Sequence, residues 1–229
     1  MAYRVAHLFS IVLVAAAVSG CGTSATARFY TLDSAATAAE APAARYAVVV
    51  GPVFVPAAVD RPQFVLQVAP NRVEIDEFNR WAAPLDDGIA RAVAGDLATL
   101  LGTPEVALAA LPNFKPAYRV TIDVQRFESI PGEAIAVDAV WTVRKTADGS
   151  TRSGRTVARE TVPDRSFEAL AAAHSRALAQ MSGDIAAAIR AAEASPVAAD
   201  ANSKSSQTQD AKPEGRKQSK TQSSKRRSE

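Results

Sequence analysis

Few side chains in this sequence have the type and spacing to do chemistry. Cys21 is the only cysteine among 229 residues, so neither an internal disulfide nor a thiolate zinc site can form. It follows Val18, Ser19 and Gly20, a branched apolar residue and two small ones. Small side chains leave the preceding peptide bond open to a peptidase, and the thiol is the one group there able to take a thioether-linked diacylglyceryl chain. The two histidines are His7, just before the N-terminal apolar run, and His174, the one candidate base. Its neighbour Ser175 cannot serve as nucleophile, because adjacent helical residues point about 100° apart. Ser166 and Ser182, eight positions to either side, are out of register. His174 therefore reads as a histidine packed at a helix–sheet boundary. Asp86-Asp87 opens a helix, where carboxylates favour the positive end of the dipole without any ligand. Asp76-Glu77 reads as a solvated strand end. Gly51-Pro52 lacks the Lys and Ser/Thr of a phosphate loop, and no Cys or His pair has metal-ligand spacing. The sequence predicts no enzyme, no metal and no cofactor; an acid-only hydrolase is the weakest of the alternatives.

The N-terminus supplies the context for Cys21. Arg4 precedes an apolar run, Leu8 to Val18, broken only by Ser10. That is the length of a signal-peptide core and falls short of the roughly 20 residues that cross a bilayer. Val18-Ser19-Gly20-Cys21 resembles the lipobox of bacterial lipoproteins. Residues 1–20 are thus expected to be a cleavable lipoprotein signal, with Cys21 as the lipid-bearing N-terminus of the mature chain. Position 22 is Gly rather than Asp. In bacteria with two membranes this resemblance implies an outer-membrane address facing the periplasm. Palmitate-type acyl chains anchor firmly, since each buried methylene contributes about 0.8 kcal/mol.

Charge and composition divide the rest. Residues 22–195 hold 17 Lys/Arg against 20 Asp/Glu, whereas residues 196–229 hold 8 against 4. A mildly acidic body with a basic tail, exported from the cytoplasm, is no nucleic-acid binder. Residues 21–44 are rich in Ala, Thr and Ser and read as a lipidated tether. Fully extended, such a tether reaches about 80 Å. Within it Arg28-Phe29-Tyr30-Thr31-Leu32 carries two aromatics and predicts a short docking segment, such as an edge strand. Residues 45–194 make one folded domain. Residues 195–229 lack aromatics and apolar pattern, and are expected to be a disordered basic tail.

The domain's elements follow from periodicity. Tyr46 to Val55 is a strand bent or ended at Gly51-Pro52. Gln63 to Val68 and Arg72 to Ile75 flank the turn Ala69-Pro70-Asn71 as a hairpin. Pro84 to Leu101 is a helix with Pro84 at its first position, an apolar stripe of Leu85, Ile89, Val93, Leu97, Leu100 and Leu101, and Gly102 as its stop. Glu105 to Leu108 is a short strand. Tyr118 to Phe127 and Ala134 to Lys145 alternate as half-buried strands. Asp148-Gly149 turns the chain into Arg152 to Val162, a polar edge strand. Ser166 to Ala192 is a second helix, whose alanines imply close packing on the sheet. The fold class expected is α/β, a single mixed β-sheet with two long packed helices.

Asp60 to Trp81 carries what the fold does not explain. Arg61, Arg72, Arg80, Phe78 and Trp81, with Gln63, bring arginine and aromatics together just outside the hairpin. These residue types favour protein interfaces. Trp81 serves equally well as core beneath the helix start.

The same stretch carries a family resemblance. Val50-Gly51-Pro52-Val53, Val55-Pro56, Asp60-Arg61-Pro62-Gln63, Glu77-Phe78-Asn79-Arg80-Trp81-Ala82, Pro84-Leu85-Asp86-Asp87 and Leu100-Leu101-Gly102 follow one another in order. With the lipobox and Phe29-Tyr30-Thr31-Leu32, the chain resembles the PqiC-type auxiliary lipoproteins of ABC-type transport systems over roughly Arg28 to Ile189. The resemblance implies a non-enzymatic outer-membrane lipoprotein with an anticodon-binding-domain-like fold. It implies an MCE-domain protein as partner, in machinery that moves lipids or other hydrophobic molecules between membranes, and homo-oligomeric rings. It carries over one site residue, Cys21 as the anchor. The alternative reading is a stand-alone structural or assembly lipoprotein of the envelope.

Overall fold

The computed structural model describes residues 25–38, 42–109 and 114–194. The signal, Cys21 and the basic tail 195–229 lie outside the described residues. The elements run β1 Arg28–Tyr30, β2 Val48–Phe54, β3 Gln63–Ala69, β4 Arg72–Trp81, α1 Leu85–Leu101, β5 Val106–Ala107, β6 Tyr118–Ile130, β7 Ala134–Lys145, β8 Thr151–Thr161 and α2 Phe167–Ala194.

All eight strands form one mixed sheet. Its spine is the 13-residue β6, which pairs with β7 along one edge, with Gln125 left out at a register shift. The other edge is shared: β2 runs parallel to its first half, from Val48↔Tyr118 to Phe54↔Asp123, and β3 meets its second half at Leu66↔Ser129. The sheet therefore forks. One branch ends in β5; the other continues through β4 to β1. At the fork β2 slips register between Val50 and Val53. Pro52 offers no N–H to the ladder there. Asp148 and Gly149 turn β7 into β8, which forms the opposite edge, as the sequence predicts.

Both helices cover the same face. The inward residues of β2, β6 and β7 and the stripes of α1 and α2 make one core cluster. α2 runs antiparallel to β6: His174 meets Ser129 near the end of the strand, and Glu193 hydrogen-bonds Tyr118 at its start. At about 1.5 Å per helical residue and 3.3 Å per strand residue, both elements are roughly 40 Å long and match end to end. Ala171, Ala173, Ala177 and Ala186 are buried, which lets α2 lie close to the sheet. α1 ends at Gly102 in the left-handed region, as expected, but Pro84 is its N-cap rather than its first residue.

Two local expectations are corrected. The return strand does not stop at Ile75. The Asp76 carboxylate accepts the backbone N–H groups of Phe78 and Asn79 at 2.9 and 2.8 Å, and the Asn79 amide at 2.9 Å. These bonds replace the ladder across a bulge, because Phe64 pairs Asp76 while Gln63 pairs Arg80. β4 then runs on to Trp81 beside β1. The second correction concerns the tether. β1 is a parallel edge strand, as expected of Arg28–Leu32, and Tyr30 and Leu32 are buried. Beyond it Asp96 of α1, itself buried, accepts Ser34 Oγ at 2.8 Å and the Ala35 and Ala36 amides at 2.9 Å each. The Asp33 amide donates to Ser175 Oγ at 3.1 Å, and Ala44 N–H to Leu101 C=O at 2.8 Å. Residues 28–36 are thus part of the fold. A composition rich in small polar residues hides this, because one buried carboxylate supplies the partners.

Candidate functional site

The helix-covered interior holds the one histidine–hydroxyl pair among the described residues. His174 Nε2 lies 2.9 Å from Ser129 Oγ. The imidazole stacks on Phe127 at 3.9 Å and 7°, with Trp81 edge-on at 6.2 Å. Both partners are buried, and Nδ1 has no partner to orient the ring as a catalytic base requires. Burial pushes the His174 pKa down to about 3. A sealed, neutral imidazole is a packing element, as the sequence reading of His174 has it. Ser129 was not visible from sequence as its partner, because the two are 45 positions apart. Among the described residues no cluster of metal-ligating side chains exists and no helix is long and apolar enough to cross a membrane.

The residues singled out around the hairpin separate into groups. Trp81 is 6% exposed, stacked on Phe64 at 4.1 Å and edge-on to Phe127 at 6.1 Å. Its interface role is corrected: it is core, drawn in by the aromatic cluster of Tyr30, Phe64 and Phe167. Gln63, Phe78 and Arg80 gather at the bulge. Gln63 Nε2 donates to Glu77 at 3.2 Å, and Arg80 donates from Nε to the Glu77 carbonyl at 2.8 Å and faces its carboxylate at 3.7 Å. Burial works against a charged Asp76, but the three donors from Asn79 and Phe78 prevail and hold its pKa below the usual carboxylate range. Arg72 is not brought to this group; it opens β4 at the far end of the hairpin. Arg61 sits before Pro62 on the loop leading into β3, with its Nε buried and unpartnered.

A surface that the sequence reading missed lies on the helix-free face. Antiparallel register sets Val65 opposite Ile75 and Gln67 opposite Val73. Val73 is 52% exposed and Ile75 42%. Val73 borders a shallow cavity of about 180 Å³ at the fork, lined also by Pro56, Val59, Val65 and Phe127, with Arg126 and Glu128 at its rim, and Ile75 stands opposite Val65 on the same face. The available signal was the alternation Val73, Ile75 on a short strand whose other face is Arg72 and Glu74; an isolated hairpin gives no clue to which face is covered.

The chain matches the model of the ABC-type transport auxiliary lipoprotein component across residues 30–186. It belongs to this family. The match starts at Tyr30, the last residue of β1, so it includes the strap of residues 33–36 that binds Asp96 of α1. Among solved structures, the auxiliary component is similar to one described as an uncharacterized protein, at 20% identity and a TM-score of 0.60, covering 72% of this chain and 99% of that one. It is similar to a protein from Xanthomonas campestris at 19% identity and a TM-score of 0.59, with the same coverages. At these identities the likeness shows a shared fold. No curated protein matches the chain.

Proposed function

We propose that this auxiliary lipoprotein is a non-enzymatic docking component of an envelope transport system. Acylated Cys21 holds it at the outer membrane, facing the periplasm, and its partner is an MCE-domain protein that passes lipids or other hydrophobic cargo between the membranes. Family membership supports the association with an ABC-type transporter. The observation that carries the docking role is the uncovered apolar hairpin face, where Val65 and Val73 line the fork cavity and exposed Ile75 stands opposite Val65. Large exposed apolar residues grouped on one face, rimmed by charge, mark an interaction surface. Arg126 and Glu128 provide the rim, and Arg61 and Gln63 stand on the adjoining loop and strand start.

Co-purification from crosslinked cells tests this. Val73→Asp with Ile75→Asp alters exposed side chains and should leave the fold intact while abolishing recovery of the MCE-domain protein. Full recovery from the double variant would refute the assigned surface. Enrichment of cell-wall or assembly proteins alone, from the unaltered protein, would favour a stand-alone structural lipoprotein.

A further inference from the structure

The chain between the lipid anchor and the fold is short. Seven positions separate Cys21 from Arg28, the first residue of β1. Seven residues span at most about 25 Å, less than a third of the reach expected when the whole of 21–44 was read as tether. β1 is pinned in the sheet through Tyr30, which is buried and donates its hydroxyl to Asn79 at 2.9 Å. Whatever holds Cys21 therefore holds the β1–β4 edge within about 25 Å of the membrane.

That edge carries apolar surface the fold leaves open. Phe29 is 64% exposed and Phe78 48%. Parallel register places Phe29 beside Arg80, on the side opposite the buried Tyr30 and Trp81. Phe78 lies two residues before Arg80, and the Asp76 bulge fixes its backbone. Arg28 and Arg80 contribute positive charge; Asp76 and Glu77 offset it, with Arg80 and Glu77 at 3.7 Å. The edge is thus aromatic and close to neutral. Aromatic rings with a polar rim suit the headgroup boundary of a bilayer. Two phenylalanines bind weakly by themselves, but a short tether raises the effective concentration to the millimolar range, where weak binding suffices.

We propose that the β1–β4 edge is a membrane-seating face: Phe29 and Phe78 rest in the headgroup region of the phospholipid leaflet that anchors Cys21, and so fix the domain's orientation on the membrane. This rests on the reading of Cys21 as acylated. Because the edge is near neutral, seating is apolar and insensitive to salt.

The test uses the mature full chain coupled through Cys21, its sole thiol, to a maleimide lipid in phosphatidylethanolamine/phosphatidylcholine vesicles. Phe29→Trp, Phe78→Trp and, on the distant β8 edge, Val157→Trp are each measured with brominated phospholipids as quenchers. The account expects quenching at the first two sites about two-fold or more above the β8 site, unchanged in high salt. It expects Phe29→Asp to remove the excess quenching of the indole at 78. Equal quenching at all three sites, or none, overturns the proposal. Fatty-acid labelling of cells expressing the unaltered protein and Cys21→Ala separates the two readings. Label on the former alone, with no excess quenching, overturns only the seating; absence of label overturns the anchor and the seating together.

Discussion

Replacing Asp96 with alanine removes one buried carboxylate and leaves four donors without it: Ser34 Oγ, the Ala35 and Ala36 amides, and Ser182 Oγ at 3.1 Å. Hydrogen bonds to a charged acceptor contribute about 1.5–3 kcal/mol each. The sum overstates the loss. Ser34 and Ala35 are exposed enough to turn to water once the strap loosens, and Ser182 retains the Leu178 carbonyl at 2.8 Å. A net destabilisation of about 3 kcal/mol is expected, which lowers Tm by about 6–12 °C for a domain of this size. Asp96→Asn separates charge from geometry. Its amide oxygen still accepts from residues 34–36, and its NH2 faces Ser182 Oγ, which can accept while donating to Leu178. The asparagine variant should lose only about 1 kcal/mol. Thermal melts give the magnitudes, and hydrogen exchange locates them: the Ala35 and Ala36 amides should lose protection in the alanine variant alone. An alanine variant within 1 kcal/mol of the unaltered protein, with those amides still protected, would refute the strap as a fixed part of the fold; so would an asparagine variant as damaged as alanine.

Three further outcomes follow from the core. His174 is held neutral by burial, with its pKa near 3 against 6.5 unfolded. The unfolded chain therefore binds the extra proton first, and stability present above pH 6.5 is lost as pH falls toward 3, by about 3 kcal/mol between pH 6.5 and 4. His174→Gln should flatten this part of the denaturant-measured stability profile; an unchanged slope would contradict the assignment. Gly154 lies opposite Trp141, and a Cβ there would stand 2.3 Å from the indole, whose Nε1 is committed to Thr156 at 3.1 Å. Gly154→Ala should cost about 1–3 kcal/mol, read as a lower melting temperature. Trp81→Ala should cost about 3–5 kcal/mol while Arg80→Ala stays within about 0.5; the reverse order in urea titrations would restore Trp81 to the surface.

Regular elements were legible wherever burial followed a period. β7 has the bounds its alternation predicts, and α1 buries the stripe its spacing predicts except for the half-buried Leu100, because each shows a single covered face to the core. What escaped the sequence is non-local. Asp96 looks like one more helical carboxylate until the strap brings two amides and a hydroxyl to it and α2 a second hydroxyl. Ser129 and His174 meet only because α2 runs antiparallel to β6. β4 continues past Asp76 because a side chain, not the ladder, binds its amides. The hairpin face was unreadable for a different reason: Val73 and Ile75 look like ordinary inward positions, and only the fork in the sheet leaves them open. Trp81 was balanced between core and interface on composition, and the Phe64 stack decides it.

The most direct test of the docking role is a photo-crosslinking amino acid placed at Ile75, in cells that make the full lipoprotein at its natural level, with adducts read by mass spectrometry. The account predicts an adduct with an MCE-domain protein, absent when the crosslinker is moved to the β8 edge at Val157. Adducts only with other envelope proteins, or the same partner from both positions, would contradict it.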